Sequence, residues 1–357
     1  MTDAAPPHPD AAPPAARPLV AVVLPGGEGF SPEVVGAIGL IVHSLAGATP
    51  GFRSVVLAQA GRFAPFADRE VVAVRAWPFP RLYARARYAG AVLRVLRRLR
   101  PALVEVHNRP AIALMLAARL PGAKIVLVLH NDPQSMRQAK TAAERTTLLR
   151  RLHGVIAVSD WVRRRLLEGV AAPSAPVTVL ANCLDLAGLP PGRSPEARER
   201  LILFAGRTIV EKGADLFVGA CAAVLPQLPG WQAAMLGARG HNPEDDVIGY
   251  EAAGPTPDEA GVRMLGYQPR PTVLEAMGRA AIVVMPSRWE EPFGLAALEA
   301  MAMGAALVCS ARGGLPEVVG DAAVLIDPDD PDGIARALLA LARDPARRAA
   351  LAAAGRA

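Results

Sequence analysis

The sequence predicts an α/β fold divided into two parallel-sheet domains, and three observations predict it. Short apolar runs alternate with helix-like patterns along the chain, as in strands joined by crossover helices. At 357 residues the chain is long for a single core, and length alone argues for about two domains. Several apolar runs end in segments carrying glycine, proline or histidine, as strands do where an open α/β sheet meets its ligand.

The elements follow in order. Residues 1–17 are rich in Pro and Ala without an apolar core, which predicts a disordered tail and not a signal peptide. Leu19 to Leu24 reads as the first buried strand, and Pro25-Gly26-Gly27-Glu28-Gly29-Phe30 as a loop suited to close backbone approach. The full dinucleotide fingerprint is absent, because Pro32 stands where its third glycine belongs. Ser54 to Gln59, the next strand, lacks the terminal acid that would hold a ribose in a nicotinamide enzyme. Arg81 to Arg100 places Val92, Val95, Leu96 and Leu99 at helical spacing with arginines elsewhere. That pattern fits a core-packed helix with a solvated basic face, and it is also compatible with an anionic membrane surface. Two strand-like runs end in histidine, Val104 to His107 and Ile125 to His130. Gly154 to Ser159 and then Trp161 to Leu167 read as strand, serine and helix.

The second half is more specific. Leu201 to Phe204 is a strand closed by Gly206, with Arg207 and Lys212 just past its carboxyl end. Ala281 to Ser287 reads as a buried strand ended by Pro286, and Leu295 to Met303 as a helix stopped at Gly304. Glu291 and Glu299 lie eight residues apart across that junction, one ahead of the helix and one inside it. A helix N-terminus between two carboxylates suits a phosphate flanked by hydroxyl-bearing groups, the layout of a nucleotide diphosphate sugar. Two cations beside it would neutralise a departing diphosphate. Gly313-Gly314-Leu315-Pro316-Glu317 follows the strand-like Ala306 to Ala311 and reads as a structural turn, with Arg312 a surface cation. Asp327-Pro328-Asp329 reads as a capped turn and not as a metal site.

Composition narrows the function classes. Up to Asp185 there are 23 basic and 12 acidic residues, a net of +11, and the remainder carries −5. Aromatic residues make up only 4%, which argues against single-stranded nucleic acid. Cys183, Cys221 and Cys309 form no metal pattern and suggest a reduced compartment. No stretch is apolar enough to be a transmembrane helix.

In Glu291-Pro292-Phe293-Gly294 through Glu299, in Gly206-Arg207 through Lys212-Gly213, and in Gly313-Gly314-Leu315-Pro316-Glu317, the chain resembles the family 4 retaining glycosyltransferases. The resemblance covers roughly residues 18–355 and implies the GT-B fold, two Rossmann-like domains facing a cleft. It implies residues 18–186 as the acceptor-binding domain and 187–357 as the nucleotide-sugar domain. The family normally continues into a crossover helix, and the sequence stops at Ala357 where that segment would begin, so the helix is expected to be absent.

The resemblance also implies roles. Glu291 would contact the donor sugar, the backbone at Gly294 and Leu295 the diphosphate, and Glu299 the ribose. Arg207 and Lys212 would neutralise the diphosphate, and His130 would hydrogen-bond the sugar near the reacting centre. Gly26, Gly27, Gly206, Ser287 and Phe293 complete the donor set, with Tyr267 beside the base. His107-Asn108-Arg109-Pro110 is similar to a subgroup resembling spore-coat glycosyltransferases. The implied reaction is hexosyl transfer with retention, without a metal or other cofactor, to a glycan or lipid-linked acceptor. The implied setting is cytoplasmic, at most peripheral to the membrane, with no nucleic acid partner. A sugar-nucleotide epimerase of the same architecture and a catalytically silent scaffold are the alternatives.

Overall fold

Two sheets, of seven and six strands, carry the chain, and the strand pairs of both are parallel. The computed structural model describes residues 17–48, 50–76, 84–240, 250 and 254–357. The predicted tail therefore lies outside the described residues, except for Arg17. The chain divides into two units between Cys183 and Leu184, slightly ahead of the boundary expected after residue 186.

The first unit runs β1 (Leu19–Val23), α1 (Ala37–Ala46), β2 (Arg53–Gln59), β3 (Val71–Val74), α2 (Ala84–Leu99) and β4 (Leu103–His107). It continues with α3 (Pro110–Arg119), β5 (Lys124–Leu129), α4 (Ala142–Arg151), β6 (Gly154–Ala157), α5 (Asp160–Leu167) and β7 (Val177–Val179). The second unit runs β8 (Glu199–Ala205), α6 (Ala214–Val224), β9 (Gln232–Leu236), β10 (Val262–Met264), α7 (Arg270–Arg279) and β11 (Ala280–Met285). It closes with α8 (Leu295–Ala302), β12 (Ala306–Ser310), α9 (Leu315–Val319), β13 (Ala323–Ile326), α10 (Pro331–Arg343) and α11 (Pro345–Arg356).

Strand order is β3-β2-β1-β4-β5-β6-β7 in the first sheet and β10-β9-β8-β11-β12-β13 in the second. Both are doubly wound, so connections leave in opposite directions from β1 and β4, and again from β8 and β11. Between such strands the loops at the carboxyl ends part, which opens the crevice where α/β sheets bind ligands. The motif loops follow β1, β4, β8 and β11, at those two switch points.

Packing explains the continuous apolar strands. In β8, Ile202 and Phe204 join a core with Phe217, Met235 and Val284, while Leu201, Leu203 and Ala205 join another with Leu274, Met277 and Leu307. Alternate residues thus bury opposite faces, and helices cover both. Each fully buried large side chain contributes about 1.5–3 kcal/mol.

Helix starts are marked in the sequence. Thr141 and Glu144 form a capping box on α4, Ser159 caps α5, Asp330 caps α10 and Asp344 caps α11. Asp327 accepts a bond from the Asp329 N–H at 3.0 Å, the capped turn expected there. In α2, Val92 and Leu96 are buried while Arg94, Arg97 and Arg98 are exposed. The beginning of that predicted basic segment, residues 81–83, lies outside the described residues. No helix among the described residues is long and apolar enough to cross a membrane.

Candidate functional site

In the second unit the loops after β8 and β11 are tied together. The N–H groups of Arg288 and Trp289 both donate to the Glu211 carbonyl, at 3.0 Å each, and the Ser287 hydroxyl donates to it at 3.2 Å. The Arg288 guanidinium grips the Asp215 carboxylate with two bonds of 2.6 and 2.7 Å and reaches the Val210 carbonyl at 2.9 Å. Gly213, at φ +71°, lets the first loop close on the second, because a Cβ there would lie 1.9 Å from the Pro286 carbonyl oxygen.

This staple sets Lys212 against Glu291. The Lys212 ammonium donates to Glu291 Oε1, the same oxygen that accepts from the Ser287 hydroxyl at 3.1 Å. Glu291 and Ser287 are buried, while Lys212 keeps a quarter of its side chain exposed. Arg207 is half-buried immediately after Gly206 at the end of β8. Gly206, Thr208 and Gly237 bond to the ends of the neighbouring strands, through Leu236, Ala238 and Gly266, and so hold these loops level. Tyr267 is half-buried directly after Gly266.

The turn at Gly313-Gly314 is part of this construction. The Gly313 N–H donates to the Glu290 carboxylate and the Gly314 N–H to the Glu291 carbonyl, each at 2.6 Å. A Cβ on Gly313 would sit 2.2 Å from the Glu291 carbonyl oxygen, so only glycine permits the contact. The turn predicted as structural therefore supports Glu291 directly. Arg312 bonds Asp329 at 2.5 Å, and its guanidinium serves this surface ion pair.

Helix α8 begins at Leu295, after buried Phe293 and left-handed Gly294. Gly294 offers no side-chain cap and the first turn holds no acid, which leaves the positive end of the helix for an anion. Glu299 lies one turn in, buried, and accepts from Arg270 Nε at 2.7 Å. Burial pushes its carboxyl above the ordinary range, against the pull of Arg270. Arg207, Lys212, Ser287, Glu291, Gly294, Leu295 and Glu299 thus all lie in the second unit, on the loops after β8 and β11 and in the first part of α8. Arg270, Arg288 and Asp215 escaped the sequence reading, because only the fold pairs them with the motif residues.

In the first unit the switch point carries a second group. Gln59 accepts the Gly27 N–H at 3.0 Å, and the buried Tyr88 hydroxyl donates to the Leu24 carbonyl at 3.0 Å, fixing the loop of Gly26 and Gly27. His107 and His130 end neighbouring strands and meet, with Nδ1 of the first 2.9 Å from Nε2 of the second. Asn108, held at φ +53°, accepts the N–H groups of His130 at 2.8 Å and Asn131 at 3.2 Å. Burial, with His107 adding to it, holds the His130 imidazole well below its ordinary pKa. Glu28 accepts the Gly39 N–H at 3.1 Å near the start of α1, and burial pushes its carboxyl up. The Asp132 carboxylate, two residues on from His130, accepts from Arg165 at 3.0 Å and from the Gln134 N–H at 2.9 Å.

The chain is similar to known glycosyltransferases. A family described as "Glycosyl transferases group 1" matches residues 192–357, and "Glycosyltransferase Family 4" matches residues 41–187. The putative glycosyltransferase YtcC of Bacillus subtilis is 26% identical over 248 residues, covering 65% of this chain and 61% of YtcC. The chain therefore spans about three fifths of that relative. A glycogen synthase of Mycobacterium tuberculosis is 29% identical over 360 residues, covering 89% of this chain and 85% of the synthase. Among solved structures, Anabaena HepE in complex with UDP and glucose superposes with a TM-score of 0.71 at 19% identity, covering 95% of this chain and 94% of that one.

Proposed function

Since the chain belongs to the group 1 glycosyl transferases, with the two Rossmann-like sheets of the GT-B fold, we propose that it transfers a hexosyl unit from a nucleotide diphosphate sugar. The acceptor is a glycan or lipid-linked acceptor of cell-surface polysaccharide or lipopolysaccharide synthesis, and the anomeric configuration is retained. The observation that carries the reading is the meeting of Lys212, Ser287 and Glu291 in the loops that lead to the uncapped start of α8. A bound nucleotide sugar in the solved HepE complexes supports the donor class.

Each group has work to do in that reaction. Leaving of the nucleotide concentrates negative charge on its phosphate oxygens, and pre-placed cations stabilise that charge without reorganising. Arg207 and Lys212 take this role, with the backbone at Gly294 and Leu295 holding the diphosphate. Glu291, buried and fixed by Ser287, accepts hydrogen bonds from sugar hydroxyls, and Glu299 accepts them from the ribose. His130 hydrogen-bonds a sugar hydroxyl, and Tyr267 stands by the base. The leaving phosphate itself helps deprotonate the acceptor hydroxyl. No metal ion is called for in this reading, since Arg207 and Lys212 would neutralise the leaving group. The exposed arginines of α2 give the protein a peripheral contact with the inner face of the cytoplasmic membrane.

An anomeric proton coupling measured on the product tests the reading. Donor and product share their configuration, and product forms only with acceptor present. An inverted product would reject retention, and interconversion of the donor sugar without acceptor would favour the epimerase.

A further inference from the structure

His107 is almost wholly buried, and among the described residues its Nε2 has no hydrogen-bond partner. The Glu105 carboxylate, two residues back on β4, lies 3.9 Å from that atom. The other ring nitrogen faces His130 at 2.9 Å, with the rings nearly parallel at 20°. Two neutral imidazoles at this distance share one N–H between them, so one ring donates and the other accepts.

There are two ways to place the protons. If His107 donated from Nδ1, its Nε2 would be a bare lone pair, buried and aimed toward a carboxylate. If His107 carries its proton on Nε2, that N–H faces Glu105, and its bare Nδ1 accepts from His130 Nε2–H. The second arrangement removes a buried lone pair facing a negative charge, and the hydrogen bond made by one nitrogen dictates the state of the other. Glu28 and Arg109 are the other charged groups that act in this cluster, and they carry opposite signs.

We infer that Glu105 and His107 are positioning residues that set the tautomer of His130, leaving its Nδ1 unprotonated toward a ligand. A bare Nδ1 repels phosphate and accepts a hydrogen bond, so the group that meets it is a hydroxyl donor such as a sugar hydroxyl. Asn108 fixes the ring's backbone through the His130 N–H, so ring orientation and proton placement are both determined. The ligand class rests on the proposed glycosyl transfer, whereas the tautomer is a property of the free protein and stands apart from it.

Nitrogen-15 NMR of the full chain with ring-labelled histidine, assigned with a His130→Gln variant, reads the tautomer directly. The expected spectrum at neutral pH has His130 protonated at Nε2 and bare at Nδ1, with His107 showing the same pattern. Glu105→Gln, an isosteric change that removes the charge, shifts both rings toward the opposite tautomer. A free protein with His130 protonated at Nδ1 overturns the inference without touching the proposed transfer. An unchanged tautomer in Glu105→Gln overturns the role of Glu105.

Discussion

A carboxylate buried like Glu299 is costly to ionise unless a partner stays with it, and Arg270 is that partner. Folding raises the Glu299 pKa, so this group's contribution to stability falls as pH rises from the ordinary carboxylate range through the raised value. Arg270 offsets that loss where Glu299 is charged. Arg270→Ala is therefore expected to destabilise the fold by about 1–3 kcal/mol at neutral pH, less than a fully buried pair because Arg270 is one-third exposed. The gap to the parent narrows at acid pH, where Glu299 is protonated in both. Denaturant unfolding across pH measures it, and a gap that is constant with pH would dismiss the charge argument. If Glu299 holds the ribose as proposed, nucleotide affinity should fall in the same variant, because the carboxylate loses the Arg270 bond that orients it.

At the scale of elements, the loops after β8 and β11 act as one piece because Arg288 binds them. Arg288→Ala should lower turnover by letting Lys212 drift from Glu291, and this loss should overlap with that of Lys212→Ala. A double-mutant cycle is expected to give a coupling of about 1–3 kcal/mol between the two positions. Strict additivity would mean that Arg288 supports stability alone. Helix α2 makes a separate prediction. If Arg94, Arg97 and Arg98 meet anionic lipid, each contributes about 1 kcal/mol near the surface, and binding weakens steeply with salt. Replacing the three with Gln should abolish vesicle sedimentation with unchanged thermal unfolding. Equal binding to neutral and anionic vesicles would assign the helix face to solvent.

At the scale of the molecule, much was legible in local sequence and some could not be. Continuous apolar runs such as Leu201 to Phe204 announced strands buried on both faces, and alternation with helices announced parallel sheets. The motif loops stood out because glycine, proline and charge cluster at strand ends. Strand order was not local: β1 lies beside β4, and β8 beside β11, through pairings that no single run encodes. Lys212 and Glu291 are 79 residues apart, and the sequence offered separate roles without their contact. Arg270 and Arg288 looked like ordinary surface cations, since nothing nearby in sequence named Glu299 or Asp215 as their partners. The boundary expected after residue 186 lies three residues from the division between Cys183 and Leu184.

In the proposed transfer, Arg207 and Lys212 of the second unit neutralise the departing nucleotide diphosphate. Steady-state release of nucleoside diphosphate from a panel of nucleotide sugars, with acceptor present, tests it most directly. The parent chain should release the nucleotide from one donor class, and Arg207→Ala or Lys212→Ala should each slow turnover by ~10²–10³. A folded double variant that turns over at the parent's rate would contradict the account.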